Sequence, residues 1–182
     1  MGVTLAVNDM TVVHSSSGGM SMAFPDACKT PTPGGPIPIP YPNIAKSSDT
    51  AKGSSTVKVD GNPVMLKDSN FSTSVGDEAG TAGGGVASNT TKGKAEFVNY
   101  SFDVKFEGKN VGRLMDPMIH NKLSSPNTPP SPLLQAPLVV LPVRIVCPCC
   151  EKGHDPKEWK GEKERGDITK DLEALKKNAG GV

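Results

Sequence analysis

The sequence predicts a mainly β fold: a small domain of short hairpins with proline-rich straps, followed by a C-terminal tail with a short α-helix. Three observations predict it. In residues 98–106, Val98, Tyr100, Phe102, Val104 and Phe106 are apolar, and Asn99, Ser101, Asp103 and Lys105 between them are polar. That period of two puts the apolar set on one face of a half-buried strand. Glu107-Gly108 then interrupts the run as a tight turn does, and Val111 resumes it, which makes a β-hairpin. The second observation is an echo. VKVDGNPV at 57–64 lines up with VKFEGKNV at 104–111, with Val, Lys, Gly and Val identical at matched places and Asp60 facing Glu107. A repeated strand–turn–strand unit points to a pseudo-symmetric β domain; the alternative is two ordinary hairpins. The third is composition. Gly (20) and Pro (17) make up about a fifth of the chain and aromatics only 4 %. Such a chain cannot fill a large core, so short strands, many turns and extended surface loops follow.

The 182 residues fit one domain plus appendages, or two small ones. The divisions expected are a β domain over 1–121, a proline-rich linker or strap over 122–146, and a Cys/His knuckle with a charged helical tail over 147–182. A net charge of +1 argues against a general electrostatic grip on nucleic acid or on an anionic membrane. No apolar run approaches the ~20 residues of a membrane span, so no stable membrane insertion is expected. The opening MGVTLAVNDM lacks a basic start followed by an apolar stretch, so no signal peptide is expected.

Taken in order, short strands are expected near Val3 to Val7 and Thr11 to His14, with a flexible break over 15–19. Residues 25–42 carry seven prolines, and Ile37, Ile39 and Tyr41 alternate with Pro38, Pro40 and Pro42. The segment reads as a rigid extended strap laid across the sheet, with those three side chains packing, rather than as a ligand for a proline-recognition domain. Residues 43–55 are polar and turn-rich, and 57–66 hold the first hairpin. The cluster Gly80-Thr81-Ala82-Gly83-Gly84-Gly85 is followed by Val86-Ala87, where a Walker loop needs Lys-Ser/Thr. It reads as tight backbone turns or close chain approach, not nucleotide binding. After His120 six prolines over 121–143 mark a linker, within which Leu138 to Leu141 form a short strand or apolar strap. From Glu151 the chain is highly charged, eight basic against eight acidic residues. Residues 167–178 read as a helix: Asp167 or Thr169 caps it, Ile168, Leu172 and Leu175 share a face, and Gly180-Gly181 stop it.

The sharpest chemical signal is Cys147-Pro148-Cys149-Cys150 followed by His154. Cys147 and Cys150 form a C-x-x-C pair, and His154 lies four residues on. Thiolates and imidazole suit Zn²⁺, with Cys149 or a residue of the body as fourth ligand. In a chain without an export signal such clustering reads as metal binding before disulfides, and the βαβ context of a thioredoxin-like redox motif is missing. His14, Cys28 and His120 are the other candidates, although spacing cannot make a site of them. No catalytic constellation of a standard class is visible, so the chain is expected not to be an enzyme.

From about Asp9 to Asn121 the sequence resembles the PAAR-like proteins of bacterial type VI secretion systems. The resemblance is carried by FPDACKTPTPGGPIPIPYPNIAKSSDTAKGS, VKVDGNPVMLKDSNFSTSVGDEAGTAGGG and KGKAEFVNYSFDVKFEGKNVGRLMDPMIHN. Pro63-Val64-Met65-Leu66 and Asn110-Val111-Gly112-Arg113 fall where the family has its Pro-Ala-Ala-Arg signature, and only Arg113 keeps the arginine. The resemblance implies a small conical β domain that caps the blunt end of the trimeric VgrG spike, sharpens it, and carries effectors fused or bound. It also implies a zinc near the apex, for which the matching residue types are His14, Cys28 and His120. A spike tip needs rigidity in a small volume, which turns, prolines and a bound ion supply.

The function expected is a structural tip bound to the VgrG trimer and linked to an effector or adaptor through the tail. The alternative is a secreted toxin whose short C-terminal region carries the activity; about thirty-five residues are few for an enzyme fold. A free-standing zinc-binding regulator is a third class, and the absence of a basic patch counts against DNA binding. Export would be with the fired spike, from the bacterial cytoplasm into the target cell or medium.

Overall fold

The computed structural model describes residues 3–137, together with the strand backbone at 145–146 and 153–154. The chain divides into two units, Met1–Val139 and Val140–Val182. In the first unit the strands are β1 (Ala6–Val7), β2 (Met10–Thr11), β3 (Met20–Thr30), β4 (Ile37–Lys46), β5 (Thr50–Ala51), β6 (Lys58–Val59), β7 (Asn62–Pro63), β8 (Asn70–Phe71), β9 (Gly84–Gly85), β10 (Lys94–Phe97), β11 (Lys105–Phe106), β12 (Lys109–Asn110), β13 (Pro117–Lys122) and β14 (Ser131–Leu134). In the second, β15 (Ile145–Val146) pairs antiparallel with β16 (Gly153–His154). The fold is mainly β, as the turn-rich sequence predicts. The helix expected over 167–178 lies outside the described residues.

One sheet runs β4-β3-β14-β13-β10-β8-β5, all antiparallel, with β9 added against β3. Its inner face carries Ala45, Phe71, Ala95, Phe97, Met118 and Leu133, all buried. Phe97 packs edge-on against Phe71, with ring centroids 6.4 Å apart.

The proline-rich segment is not a polyproline strap. Residues 37–46 form the edge strand β4, paired along its whole length with β3. Ile44 exchanges both backbone bonds with Val75 (2.7 and 2.8 Å) on the side away from β3. Pro42, Pro40 and Pro38 share its parity, so their missing N–H groups fall on the outer edge, where no ladder bond is lost. The proline run after His120 likewise holds a strand. β14 lies between β13 and β3, pairing Pro117 with Pro132 and Leu133 with Ser21.

The strand expected over 98–106 is also corrected. The strand ends at Phe97, Val98 is 46 % exposed and Phe102 80 % exposed. Tyr100 donates its hydroxyl to the Phe97 carbonyl (2.8 Å), and the Ser101 N–H turns to Val111 (2.9 Å). The chain bends there to enter the β11–β12 hairpin, which is present as predicted. Among glycines of the 80–85 cluster, a Cβ on Gly80 would meet the Cys28 Cβ at 2.5 Å, and one on Gly84 (φ +70°) would meet the Thr90 backbone at 2.5 Å. Close chain approach is therefore what that cluster provides.

Candidate functional site

Two features stand out: a closed ring of three hairpins and a buried cluster of metal-ligating side chains. The ring has three copies, not the two legible in sequence. β1–β2, β6–β7 and β11–β12 are each joined by two residues with positive φ: Asn8 (53°) and Asp9 (63°), Asp60 (51°) and Gly61 (77°), Glu107 (52°) and Gly108 (75°). Two positive φ values in a row make a type I′ turn, which suits the strand twist. After each hairpin the copies interlock. Val13 N–H donates to Gly112 O (3.2 Å), Gly112 N–H to Met65 O (3.0 Å) and Met65 N–H to Val13 O (2.8 Å), which closes a cycle. Bridges Val12–Arg113, His14–Val64 and Leu66–Val111 run around the same circuit. Inside the ring Val7, Val12, Val59, Val64, Leu66 and Val111 form a buried core.

Side chains repeat the cycle. The first turn residue of each hairpin grips the residue just ahead of a neighbouring copy's first strand. Asp60 accepts from the Thr4 hydroxyl and N–H (2.5 and 3.2 Å). Glu107 accepts from the Thr56 N–H and hydroxyl (2.6 and 2.7 Å) and from Ser55 and Val57 N–H groups. Asn8 donates to Asp103 (3.0 Å). These donors hold Glu107 down to about 2, the Thr56 hydroxyl contributing most, and lower Asp60 chiefly through Thr4. At the places equivalent to His14 and Leu66 stands Arg113, whose buried guanidinium binds Asp116 through two nitrogens (3.1 Å each).

The second feature is Asp26, Cys28 and Asp77, each fully buried, with ligand atoms all within 4.8 Å of one another. Asp26 and Cys28 lie two apart on β3 and so share its inward face. The Cys28 Sγ is 3.6 Å from Asp26 Oδ1 and 4.0 Å from Asp77 Oδ2. Asn43 (2.7 Å), Asn121 (3.3 Å) and Asn127 donate side-chain amides to Asp26, and the Lys92 N–H serves Asp77 (3.1 Å). Burial, then the Asp26 and Asp77 carboxylates, push the Cys28 thiol up to about 12; burial raises Asp77 to about 6. One thiol and two carboxylates suit a divalent first-row cation, zinc included, whose tetrahedral S···O edge is about 3.6 Å. Nothing in this donor set singles out zinc.

The expected trio His14, Cys28 and His120 is not brought together: among the described residues, no histidine has its ligand atom in such a group. His14 is 1 % exposed in the ring, with Nε2 3.2 Å from Asp60 Oδ2. His120 is fully buried in β13, between Asn43 and Ser21. Cys147, Cys149 and Cys150 lie outside the described residues; of His154 only the β16 backbone is described. Sequence reasoning missed Asp26 and Asp77, although the Asp26-x-Cys28 spacing on an alternating strand was a usable signal.

Residues 19–129 match the family described as Toxin PAAR-like domain. The chain belongs to that family. A curated relative, the DNase toxin Tse7 of Pseudomonas aeruginosa, is 44 % identical over 135 residues, covering 70 % of this chain and 35 % of that protein. The chain thus spans about a third of the length of the curated relative it matches. No solved structure matches it. The relative corrects one expectation: a protein 44 % identical over 135 residues is named as a DNase, an enzyme, so the conclusion that this chain is not one is withdrawn. That conclusion rested on the lack of a standard catalytic constellation and on the small size of residues 147–182. Among the described residues no helix is long and apolar enough to cross a membrane.

Proposed function

We propose that this PAAR-like chain is the tip and delivery module of a type VI secretion toxin, seated by its hairpin ring on the end of the trimeric VgrG spike. The observation that carries this reading is the closed threefold cycle of backbone bonds through Val13, Gly112 and Met65. A single chain that repeats one hairpin three times around an axis offers three equivalent edges to three equivalent strands of a trimer. The activity delivered, by analogy with the relative's name, is degradation of DNA in the target cell. The chain would travel with the fired spike, from the bacterial cytoplasm outward, and an effector or adaptor bound through residues 147–182 would travel as cargo.

Zinc is a proposal for two places. One is the tail run Cys147, Cys149, Cys150 and His154, and the other is Asp26, Cys28 and Asp77. In the tail the ion would close a local knuckle, and in the body it would tie β3 to the distant segment carrying Asp77 as a staple. Elemental analysis of the full chain, of a triple C147S/C149S/C150S variant and of C28S assigns it: one equivalent lost only in the triple variant places zinc in the tail, and one lost only in C28S places it in the body.

Immobilised VgrG trimer should retain the chain, and combined N8A, D60A and E107A substitution should release it. Retention unchanged by that triple substitution would remove the ring from the docking reading. DNA degradation in cells expressing the chain, against a vector control, tests the delivered activity separately.

A further inference from the structure

We infer that this chain has replaced the histidine-centred metal site that its family resemblance implies with two hydrogen-bonded imidazoles, so that His14 and His120 staple the body directly and ligate no metal. A ligating imidazole must turn a bare nitrogen lone pair toward the ion, and a neutral ring has only one. In both rings that lone pair is covered by a protein donor.

His14 Nδ1 accepts the Ser16 N–H at 3.2 Å. The proton is therefore on Nε2, which donates to Asp60 Oδ2 at 3.2 Å. Asp60 also holds Thr4, so this imidazole ties the end of the first hairpin copy to the turn of the second. His120 carries the opposite tautomer. Asn43 donates its Nδ2 to Asp26 (2.7 Å), which fixes the amide and leaves Oδ1 facing the ring. His120 Nδ1 thus meets two acceptors, Asn43 O at 3.1 Å and Asn43 Oδ1 at 3.2 Å, and must carry the proton. Its Nε2 lies 2.9 Å from the Ser21 hydroxyl, nearer than that hydroxyl's other acceptor, the Ser131 carbonyl at 3.2 Å, so the Ser21 proton is directed to the ring. This second imidazole pins β13 to β3 and β4. Cys28, the third expected ligand, faces carboxylates and asparagine amides instead. The two histidines thus perform mechanically, through all four ring nitrogens, the cross-linking an ion would perform.

The test is long-range ¹H–¹⁵N correlation on the full-length chain carrying C147S, C149S, C150S and H154N, which leaves His14 and His120 as the only imidazoles. Single H14Q and H120N spectra supply the assignments. The expected result is an Nε2–H tautomer for His14 and an Nδ1–H tautomer for His120, both unchanged between excess zinc and EDTA. Zinc uptake that leaves both rings unchanged also supports the inference, since it places the ion on other ligands. A ring nitrogen that moves to a metal-bound shift in zinc and returns in EDTA overturns it, as does one bound zinc lost in H14Q or H120N.

Discussion

His120 shows how one buried side chain sets a pH limit for the whole body. Burial pulls its ring down to about 4, against partial relief from the Asn43 acceptor and the Asp26 charge. A folded-state value below the unfolded one means the unfolded chain binds the proton first as pH falls. The stabilisation is therefore complete above about 6.5 and is lost between about 6.5 and 4. The shift is worth on the order of 3 kcal/mol. Denaturant titrations from pH 7 to pH 4 should show that loss in the wild type, and H120N should flatten the slope. Glu107 and Asp60 act in the same direction at lower pH: their folded values are depressed, so their contribution is present above about 4.5 and fades as pH falls further. At this scale part of the site was legible. Cys28 and His120 were found as residue types, but hydrogen-bond partners from β4, 77 residues distant in the chain, are invisible to spacing.

The hairpin is the repeating element, and its third copy explains what sequence comparison overlooked. The copies at 57–64 and 104–111 share a glycine at the second turn position. The copy at 5–12 has Asp9 there, at φ 63°, and Ala6 where the others have lysine. Aspartate tolerates that conformation well enough to keep the turn while erasing the marker. The inward place held by Val13 and Met65 is Gly112 in the third copy, because the Phe97 ring fills it. A Cβ on Gly112 would lie 2.8 Å from that ring, so G112A should cost roughly 1–3 kcal/mol by chemical denaturation. Leu133 tests the corrected strand in the proline-rich region. Its side chain is fully buried, and L133A should cost roughly 2–5 kcal/mol, where a linker residue would cost almost nothing. Prolines misled because they mark linkers and edge strands alike, and only pairing distinguishes the two. Replacing Pro38, Pro40 and Pro42 by threonine would restore three outward N–H groups to β4. Light scattering should then report concentration-dependent association that the wild type lacks.

At the scale of the molecule, a sheet with a modest core carries a ring that closes on itself. The mainly β class, the two glycine-marked hairpins and the close approach at the glycine cluster could be read from residues alone. The ring could not, since closure depends on bonds between segments about 50 to 100 residues apart. On the function proposed above, closure is what would fit the ring to a trimer, three similar hairpins about one axis meeting three equivalent chains. The measurement that tests this most directly is native mass spectrometry of the chain mixed with its VgrG. The account predicts one PAAR-like chain on three VgrG chains, a stoichiometry that persists in excess. Three chains bound per trimer, or none, would contradict a ring that caps the spike axis.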